Sequence, residues 1–381
     1  TRATSGADRT SSTASSSGAR QARAAARAGK NAARPAAPAS RGRCSSSFCV
    51  ISRKYRPLPA YFRLTGGPYP GIVKRIRLIP LLALAIVPVA AYSPTGEART
   101  GADCTVRQTG LRPLTDMNRS RHKGQPGGLY PAGANKPPRL HRQRGLEAAR
   151  RVRPIRGRIG VVGVGMSNAM TEFAAFAKAA AQDPATSRSL TFVEGAGGGW
   201  DATRISKPKA VYWTNLDARV RRARLTRGQV QVVWLKQAIS GEDRAFPQDA
   251  RALQTHLRGI VRVLATRFPN LRQIYVSSRT YGGYSVTHLN PEPFAYETGF
   301  AAKWLVQDGI QGRLGRVWVG WGPYLWTDGL AGRRDGLTWA CEDVLEDGMH
   351  PSPSGVRKVS RLLSDFFKTD PTAKTWFAPA A

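Results

Sequence analysis

The stretch RIGVVGVGMSNAMTEFAAFAKAAAQ, residues 158–182, passes from a continuous apolar run into an alanine-rich run. The first part has the length of a strand and is bounded by glycine, as expected for a strand buried on both faces. The second part contains good helix formers and places Phe173 and Phe176 on one face. The stretch therefore predicts a buried strand that turns directly into a helix, with Ser167 and Asn168 at the junction.

Four more apolar runs follow along the chain: LTFVEG at 190–195, VQVVWL at 230–235, RQIYVSS at 272–278 and GRVWVGWG at 315–322. Helix-like stretches separate these runs, and SGVRKVSRLLSDFF at 354–367 closes the series. Strands alternating with helices predict an α/β fold: a five-stranded, mostly parallel sheet covered on both faces, a three-layer α/β/α sandwich. Ligands on such sheets bind at the carboxyl ends of the strands, so we expect the chemistry directly after each strand.

Basic charge is concentrated in the N-terminal part of the chain. Residues 1–160 contain 31 Lys and Arg and 5 Asp and Glu, so this part carries +26 of the net charge of +35. Such an Arg-, Ala-, Ser-, Gly- and Pro-rich composition cannot bury enough apolar surface to offset chain entropy. We expect a disordered basic leader at 1–71, a basic Pro/Gly-rich linker at 93–157 with one short helix near 146–152, and one folded domain at 158–381.

The leader has two readings. Clustered arginines could neutralise phosphates and bind nucleic acid. No aromatic residues interleave the basic ones in the first forty positions, which favours a solvated tail, so no nucleic-acid partner is expected.

An apolar segment at 72–92 resembles a secretory signal. Basic residues at 74, 75 and 77 precede a short apolar run at 78–91 that ends in small residues, and this is the order of a signal peptide. A signal normally opens a chain, whereas this segment is internal. A true start downstream of residue 1 would reconcile its position with a role as a signal. A secreted or cell-envelope location follows if residues 74–91 act as a signal, and a cytoplasmic one otherwise; a buried strand or a membrane anchor is the alternative.

The four cysteines lack the spacing and the histidine neighbours of a zinc site, so no metal is expected. Cys341 is the one cysteine in the predicted folded domain. A small buried residue is the simpler interpretation of Cys341, and a disulfide with Cys104 is the alternative in an oxidising compartment.

Polar residues follow several of the predicted strands. Ser167 lies between a strand end and a helix start, where it is either a nucleophile next to unpaired backbone N–H groups or an N-cap. Four glycines follow the second strand in EGAGGGWDAT, either as a site for a ligand that approaches the backbone or as a flexible loop. Lys236 and Gln237 follow the third strand, and Arg279 follows the fourth.

The last candidate lies in VLEDGMHPSPSG, just before the final helix. Asp347 and His350 are three residues apart on one loop, which lets the carboxylate orient the imidazole and stabilise its protonated form. A chance aspartate on a surface loop is the alternative for the pair taken alone.

The combination of Ser167 after the first strand, the Gly-rich turn, and Asp-x-x-His before the final helix resembles the SGNH, or GDSL-type, hydrolases over about residues 158–377. The resemblance implies a flavodoxin-like topology and no cofactor. It also implies a Ser-His-Asp triad of Ser167, His350 and Asp347, with oxyanion N–H groups from Ser167 and Gly199, or Gly198 as the near alternative.

The chain departs from the family in one respect. The family supplies a third oxyanion donor from an Asn after the third strand, and that motif is absent here. Gln237 is the nearest amide, with Lys236 beside it. Arg279 and Lys236 are the expected substrate contacts, although a surface salt bridge is an equal reading for Arg279.

The sequence thus predicts a serine esterase that acts on a small-molecule or carbohydrate ester. Trp321, Trp326 and Trp339 could stack on sugar rings or could pack in the core, and O-acetyl groups on carbohydrate are the expected substrate class. The alternatives are a non-catalytic binding protein with the same fold and a nucleic-acid binder that uses its basic leader. The sequence does not indicate the oligomeric state.

Overall fold

The computed structural model describes residues 101–241 and 243–379, and its centre is a five-stranded sheet. The strands are β3 (Ile159–Gly165), β4 (Leu190–Glu194), β5 (Val230–Lys236), β6 (Gln273–Ser277) and β7 (Trp318–Trp321). They lie in the order β4-β3-β5-β6-β7, and every pairing is parallel. The predicted five-stranded sheet is confirmed, and its order is that of a flavodoxin-like fold.

The pattern of burial follows the position of each strand in the sheet. All residues of β3, β5 and β6, the three inner strands, are buried, whereas the edge strand β4 is largely half-buried. Gly163 shows why β3 contains glycines: a Cβ at this position would lie 2.4 Å from the Phe173 ring of the helix that covers it. The helix can therefore pack directly onto the backbone of the strand.

Helices cover both faces of the sheet. They are α1 (Arg139–Arg150), α2 (Ser167–Gln182), α3 (Ala202–Ile205), α4 (Val211–Arg222), α5 (Gln248–Arg267), α6 (Phe294–Ile310), α7 (Pro353–Thr369) and α8 (Lys374–Phe377). Helix α2 packs against α7, and α5 packs against α6 and α3. No helix in the described ranges has both the length and the apolar character needed to cross a membrane.

The segment before the sheet differs from the predicted linker at 93–157. From residue 101 it is described, and it contains α1 and a short hairpin, β1 (Arg121–His122) and β2 (Gln125–Pro126). The segment lacks apolar periodicity, but Leu114, Met117 and Tyr130 are buried in the core. The folded region therefore extends upstream of residue 158. The predicted leader at 1–71 and the signal-like segment at 72–92 lie outside the described residues.

Helix α1 is longer than the predicted helix and packs closely on β7. A Cβ at Gly145 would lie 2.8 Å from the Trp318 indole ring, and Trp318 Nε1 donates a hydrogen bond of 3.0 Å to the His141 carbonyl oxygen. The His141 ring stacks on Trp318 with 5.1 Å between centroids. It is 2 % exposed, and neither ring nitrogen has a hydrogen-bond partner among the described residues. Burial, with a smaller contribution from nearby Arg144, lowers the pKa of His141 to about 4.

We predict that His141 makes the fold sensitive to acid. The unfolded chain takes up this proton near pH 6.5 and the folded chain near pH 4, so stability is lost as the pH falls through this window. The loss amounts to about 3 kcal/mol for this one group. In urea unfolding at a series of pH values, His141→Phe should be at least as stable as the wild type at pH 7.5 and should lose much of the acid slope. His288→Gln, at an exposed histidine, is the control, and an unchanged slope in His141→Phe would contradict this account.

Candidate active site

Ser167 is the first residue of α2, two positions after β3 ends. The turn is tight because Gly165 lies against β5, where a Cβ would be 2.3 Å from the Lys236 carbonyl oxygen. The side chain of Ser167 makes no N-cap hydrogen bond; the N-cap position is Met166. Instead, Ser167 Oγ lies 2.8 Å from His350 Nε2, although 183 positions separate the two residues along the chain.

The loop before α7 holds His350 through Asp347. One carboxylate oxygen of Asp347 contacts His350 Nδ1, and the other accepts hydrogen bonds from the backbone N–H groups of Met349 and His350 at 3.0 and 2.9 Å. Gly348 has a φ of +66°, and a Cβ there would lie 1.7 Å from the Tyr284 carbonyl oxygen. The loop can therefore close only with glycine between the aspartate and the histidine.

The electrostatics of the pair favour an ionised Asp347. Burial pushes its pKa upward, but the hydrogen bond from the His350 side chain and those from the two backbone N–H groups outweigh burial and lower the pKa. A carboxylate only accepts hydrogen bonds, so His350 carries its proton on Nδ1. The other ring nitrogen, Nε2, is then free to accept the hydroxyl proton of Ser167.

Two further contacts hold this loop in place. Asn168, which is 2 % exposed, donates a hydrogen bond of 2.9 Å from Nδ2 to the Met349 carbonyl oxygen. A disulfide joins Cys104 to Cys341 with 5.5 Å between their Cα atoms, and Cys341 opens the 3₁₀ turn that leads into the loop. The alternative prediction for Cys341, a bridge to Cys104, is thus the one present in the structure. The role of Asn168 has no signal in the sequence beyond its place next to Ser167.

A cavity of ≈ 250 Å³ opens over Ser167 at the carboxyl edge of the sheet. Its wall includes residues from every surrounding connection: Ser167 after β3, Gly198 and Gly199 after β4, Ser240 after β5, Arg279 after β6, and His350 before α7. Ser167 and His350 are both partly exposed, so a ligand in the cavity can reach them. Among the described residues, no group of three His, Cys, Asp or Glu side chains could hold a metal ion.

The Gly-rich turn lines this cavity as a bare backbone. Gly199 has a φ of +73°, a left-handed conformation that suits glycine, and its carbonyl oxygen accepts a hydrogen bond of 2.9 Å from Arg204 Nη1. Gly198 lines the cavity as well. Both glycines named in the sequence prediction are therefore at the site.

Contrary to the prediction from sequence, the Gln237 side chain does not lie at the site. Its Nε2 donates to the Trp200 carbonyl oxygen at 2.8 Å, and its Oε1 accepts from the Ala238 backbone N–H at 3.1 Å. The side chain is 3 % exposed and does not line the cavity. It therefore supports the loop after β4 and is not available to a bound oxyanion.

Lys236 is also placed differently from its predicted role as a substrate contact. Its Nζ lies 2.6 and 2.7 Å from the two carboxylate oxygens of Glu172 on α2. The side chains are 2 % and 0 % exposed. Burial opposes both charges, lowering the pKa of Lys236 and raising that of Glu172, and the direct contact between them opposes this effect. Lys236 therefore joins β5 to α2 beneath the site, where no ligand reaches it.

Arg279 does line the cavity, as expected, although it is only 3 % exposed. Its guanidinium contacts the sulfur of Met349, and its backbone N–H donates to Thr298 Oγ1 at 3.0 Å. Asn290, which no sequence pattern indicated, also lines the cavity; it has a positive φ of 58° and donates from Nδ2 to the Ile239 carbonyl oxygen at 2.6 Å.

The three tryptophans considered for sugar stacking are core residues. Trp321, Trp326 and Trp339 are each at most 4 % exposed, and each indole N–H donates to a protein acceptor. The alternative interpretation, core packing, is the correct one. Their positions at the end of β7 and beyond it could not reveal this, because sequence order does not give side-chain direction.

No known family model matches the sequence, and no curated protein matches it. Solved structures with a similar fold include the periplasmic domain of a lipopolysaccharide acetyltransferase from Salmonella ser. Paratyphi A, at 11 % identity and a TM-score of 0.33 over 56 % of this chain and 84 % of that one. They also include a gut microbial diltiazem-metabolizing enzyme, at 15 % identity and a TM-score of 0.35 over 57 % of this chain and 48 % of that one. A salicylyl-acyltransferase from a tetracycline biosynthetic pathway is 14 % identical, with a TM-score of 0.32 over 56 % of each chain. Similarity at this level carries no argument about function.

We predict that Lys236 contributes to stability and not to substrate binding. Lys236→Met should destabilise the fold by about 3 to 5 kcal/mol, because it leaves Glu172 buried without its cation. The double variant Lys236→Met/Glu172→Leu should recover most of this loss, since no buried charge remains. Urea unfolding of Lys236→Met, Glu172→Leu and the double variant measures the coupling free energy between the two side chains. A double variant as unstable as Lys236→Met would contradict the account.

Proposed function

We propose that this protein is a serine esterase that works through an acyl-enzyme, as the resemblance to SGNH hydrolases implies. The observation that carries the proposal is the 2.8 Å contact between Ser167 Oγ and His350 Nε2, with Asp347 on the other ring nitrogen. A hydroxyl, a base and an orienting carboxylate in this order form the arrangement that activates a serine for attack on a carbonyl. A ligand can reach this hydroxyl, because it faces the ≈ 250 Å³ cavity.

The geometry supports the following sequence of steps. His350 Nε2 takes the hydroxyl proton as Ser167 Oγ attacks the ester carbonyl, and Asp347 stabilises the imidazolium that forms. His350 then gives this proton to the departing alkoxide, and the acyl group remains on Ser167 as an ester. Water, deprotonated by His350, attacks the acyl-enzyme, and His350 returns that proton to Ser167 Oγ as the acyl–Oγ bond breaks and the acid leaves.

Backbone N–H groups would stabilise the oxyanion. The N–H of Ser167 lies in the first turn of α2, where backbone N–H groups have no partner within the helix and the helix dipole favours negative charge. The second donor is the N–H of Gly199 or of Gly198 in the adjacent turn. Gln237 is excluded from this role by its hydrogen bonds to Trp200 and Ala238.

The size of the cavity favours a small acyl group. At ≈ 250 Å³ it is below the range of about 300 to 1,000 Å³ that is usual for ligand pockets, so it accommodates an acetyl-sized group and the ester itself. Arg279 on its wall is the proposed contact to the substrate. The alcohol part of the substrate must then extend out of the cavity.

The Cys104–Cys341 disulfide favours export to an oxidising compartment such as the cell envelope. The signal-like segment at 72–92 would supply the export signal. A non-catalytic binding protein is the weaker candidate, because binding alone does not require Asp347, His350 and Ser167 in hydrogen-bonded series. Nucleic-acid binding by the leader concerns residues outside the described ranges.

We predict that hydrolysis of p-nitrophenyl acetate depends on Ser167 and Asp347. Ser167→Ala removes the nucleophile and should reduce kcat to the background rate, whereas Asp347→Asn should reduce kcat by about three to four orders of magnitude. Ser364→Ala, on the outer part of α7, is the control and should retain the wild-type rate. Equal rates for the wild type and Ser167→Ala would refute the esterase proposal.

A further inference from the structure

A second cavity, of ≈ 370 Å³, lies at the same edge of the sheet. Its walls are the β5–α5 connection at residues 243–246 with Asp249 of α5, the β6–α6 connection with the start of α6 at residues 291–297, and Lys123 of the hairpin. We call it the Glu297 cavity. Its position matters because the carboxyl ends of the strands are where ligands bind on parallel sheets.

The Glu297 cavity and the active-site cavity are lined by neighbouring residues of the same two connections, which we call the shared wall. Ser240 and Asn290 line the active-site cavity, and Asp243 and Pro291 on the same two connections line the Glu297 cavity. The hydrogen bond of 2.6 Å from Asn290 Nδ2 to the Ile239 carbonyl oxygen ties the two connections together. A substrate that extends from Ser167 over this wall would therefore reach the second cavity.

Glu297 gives the second cavity a carboxylate oxygen, Oε1, that accepts no hydrogen bond from the described residues. The residue is 2 % exposed. The nearest cationic atoms, Lys123 Nζ and His122 Nε2, are 3.6 and 3.8 Å away, which is beyond hydrogen-bond distance. A buried acceptor without a hydrogen bond is unfavourable, so a ligand hydroxyl that donates to Glu297 would be bound favourably.

The other two buried acids of this cavity, Glu292 and Asp249, do accept hydrogen bonds. Glu292 accepts hydrogen bonds from Trp326 Nε1 and from two backbone N–H groups, and Asp249 is bonded to the backbone and side chain of Arg244. Glu297 is therefore the buried acid of this cavity that can still accept a hydrogen bond from a ligand.

The remaining wall fits a neutral polyhydroxylated ring. Phe246 lines the cavity and packs edge-on against His122 at 5.0 Å, which provides an apolar surface near Glu297. Lys123 and Arg244, with half-exposed side chains, add donors. An apolar chain would leave Glu297 desolvated, and an anion would be repelled by it. A sugar ring can donate a hydroxyl hydrogen bond to Glu297, accept hydrogen bonds from Lys123 and Arg244, and place its C–H groups against Phe246.

We propose that the Glu297 cavity is a subsite for a sugar ring of the substrate, with Glu297 accepting a hydrogen bond from a sugar hydroxyl. The inference rests on the proposed esterase function, and it names a carbohydrate ester as the substrate class. The small acyl group would occupy the cavity at Ser167, and the carbohydrate would extend across the shared wall.

The test compares two kinds of substrate on the full chain. p-Nitrophenyl acetate requires only the active-site cavity, whereas mono-O-acetylated xylobiose, cellobiose or chitobiose can also fill the second one. Glu297→Gln keeps the shape of the side chain but removes a charge-assisted hydrogen bond. It should lower kcat/KM for the preferred acetyl-sugar about tenfold, mainly through KM, and leave p-nitrophenyl acetate within about twofold.

A second variant keeps the test independent of the buried carboxylate. Ala245→Trp places a large ring at an exposed position on the cavity wall and should block the sugar without disturbing the core. Ala179→Trp, at an exposed position near the far end of α2, is the matched control and should behave as the wild type.

The outcomes separate the two proposals. Loss of acetyl-sugar hydrolysis in both variants, with p-nitrophenyl acetate hydrolysis retained, supports the subsite. Unchanged acetyl-sugar kinetics in both variants, equal losses on both substrates, or a wild type that prefers p-nitrophenyl acetate to every acetyl-sugar would overturn the subsite alone. Hydrolysis of p-nitrophenyl acetate that survives Ser167→Ala would overturn the esterase proposal and the subsite with it.

Discussion

The hydrogen bond between Ser167 and His350 is the interaction on which the account of this molecule depends. Ser167 begins helix α2 and His350 precedes helix α7, and these two helices pack against each other. Asn168 donates from the start of α2 to the loop that carries His350, so the same helix start supplies both the hydroxyl and a support for its partner. The contact is thus a consequence of sheet order, since the connections that leave the strands meet at one edge.

The segment before the sheet stabilises the loops around this contact. Asp328 accepts hydrogen bonds from the backbone N–H groups of Thr109 and Gly110 at 2.7 and 2.9 Å, and the Asp103 N–H donates to the Tyr284 carbonyl oxygen at 3.0 Å. Tyr284 in turn lies against Gly348 of the loop that carries His350. With the disulfide to Cys341, this segment is bound to two of the connections that surround the site, β6–α6 and β7–α7.

The sequence could predict the features that depend on local pattern. All five strands coincide with apolar-rich runs of the sequence, and the positions of Ser167 and of the Asp347–His350 step follow from strand ends and from a spacing of three. Lys236 and Gln237 were misplaced because a position after a strand does not say which way the side chain points. Lys236 pairs with Glu172, 64 positions away, and Gln237 is bonded to the backbone of the neighbouring loop. The segment from residue 101 was also misjudged, since its anchoring residues are too few and irregularly spaced to show a period.

The central claim is that Ser167 is an activated nucleophile, and covalent labelling tests it most directly. The full chain would be treated with a fluorophosphonate, and the modified residue would be located by mass spectrometry of its peptides. We predict one adduct, on Ser167, whose formation slows greatly in His350→Ala because the base that activates the hydroxyl is lost. An adduct on a different serine, or no adduct on a folded wild-type protein, would contradict it.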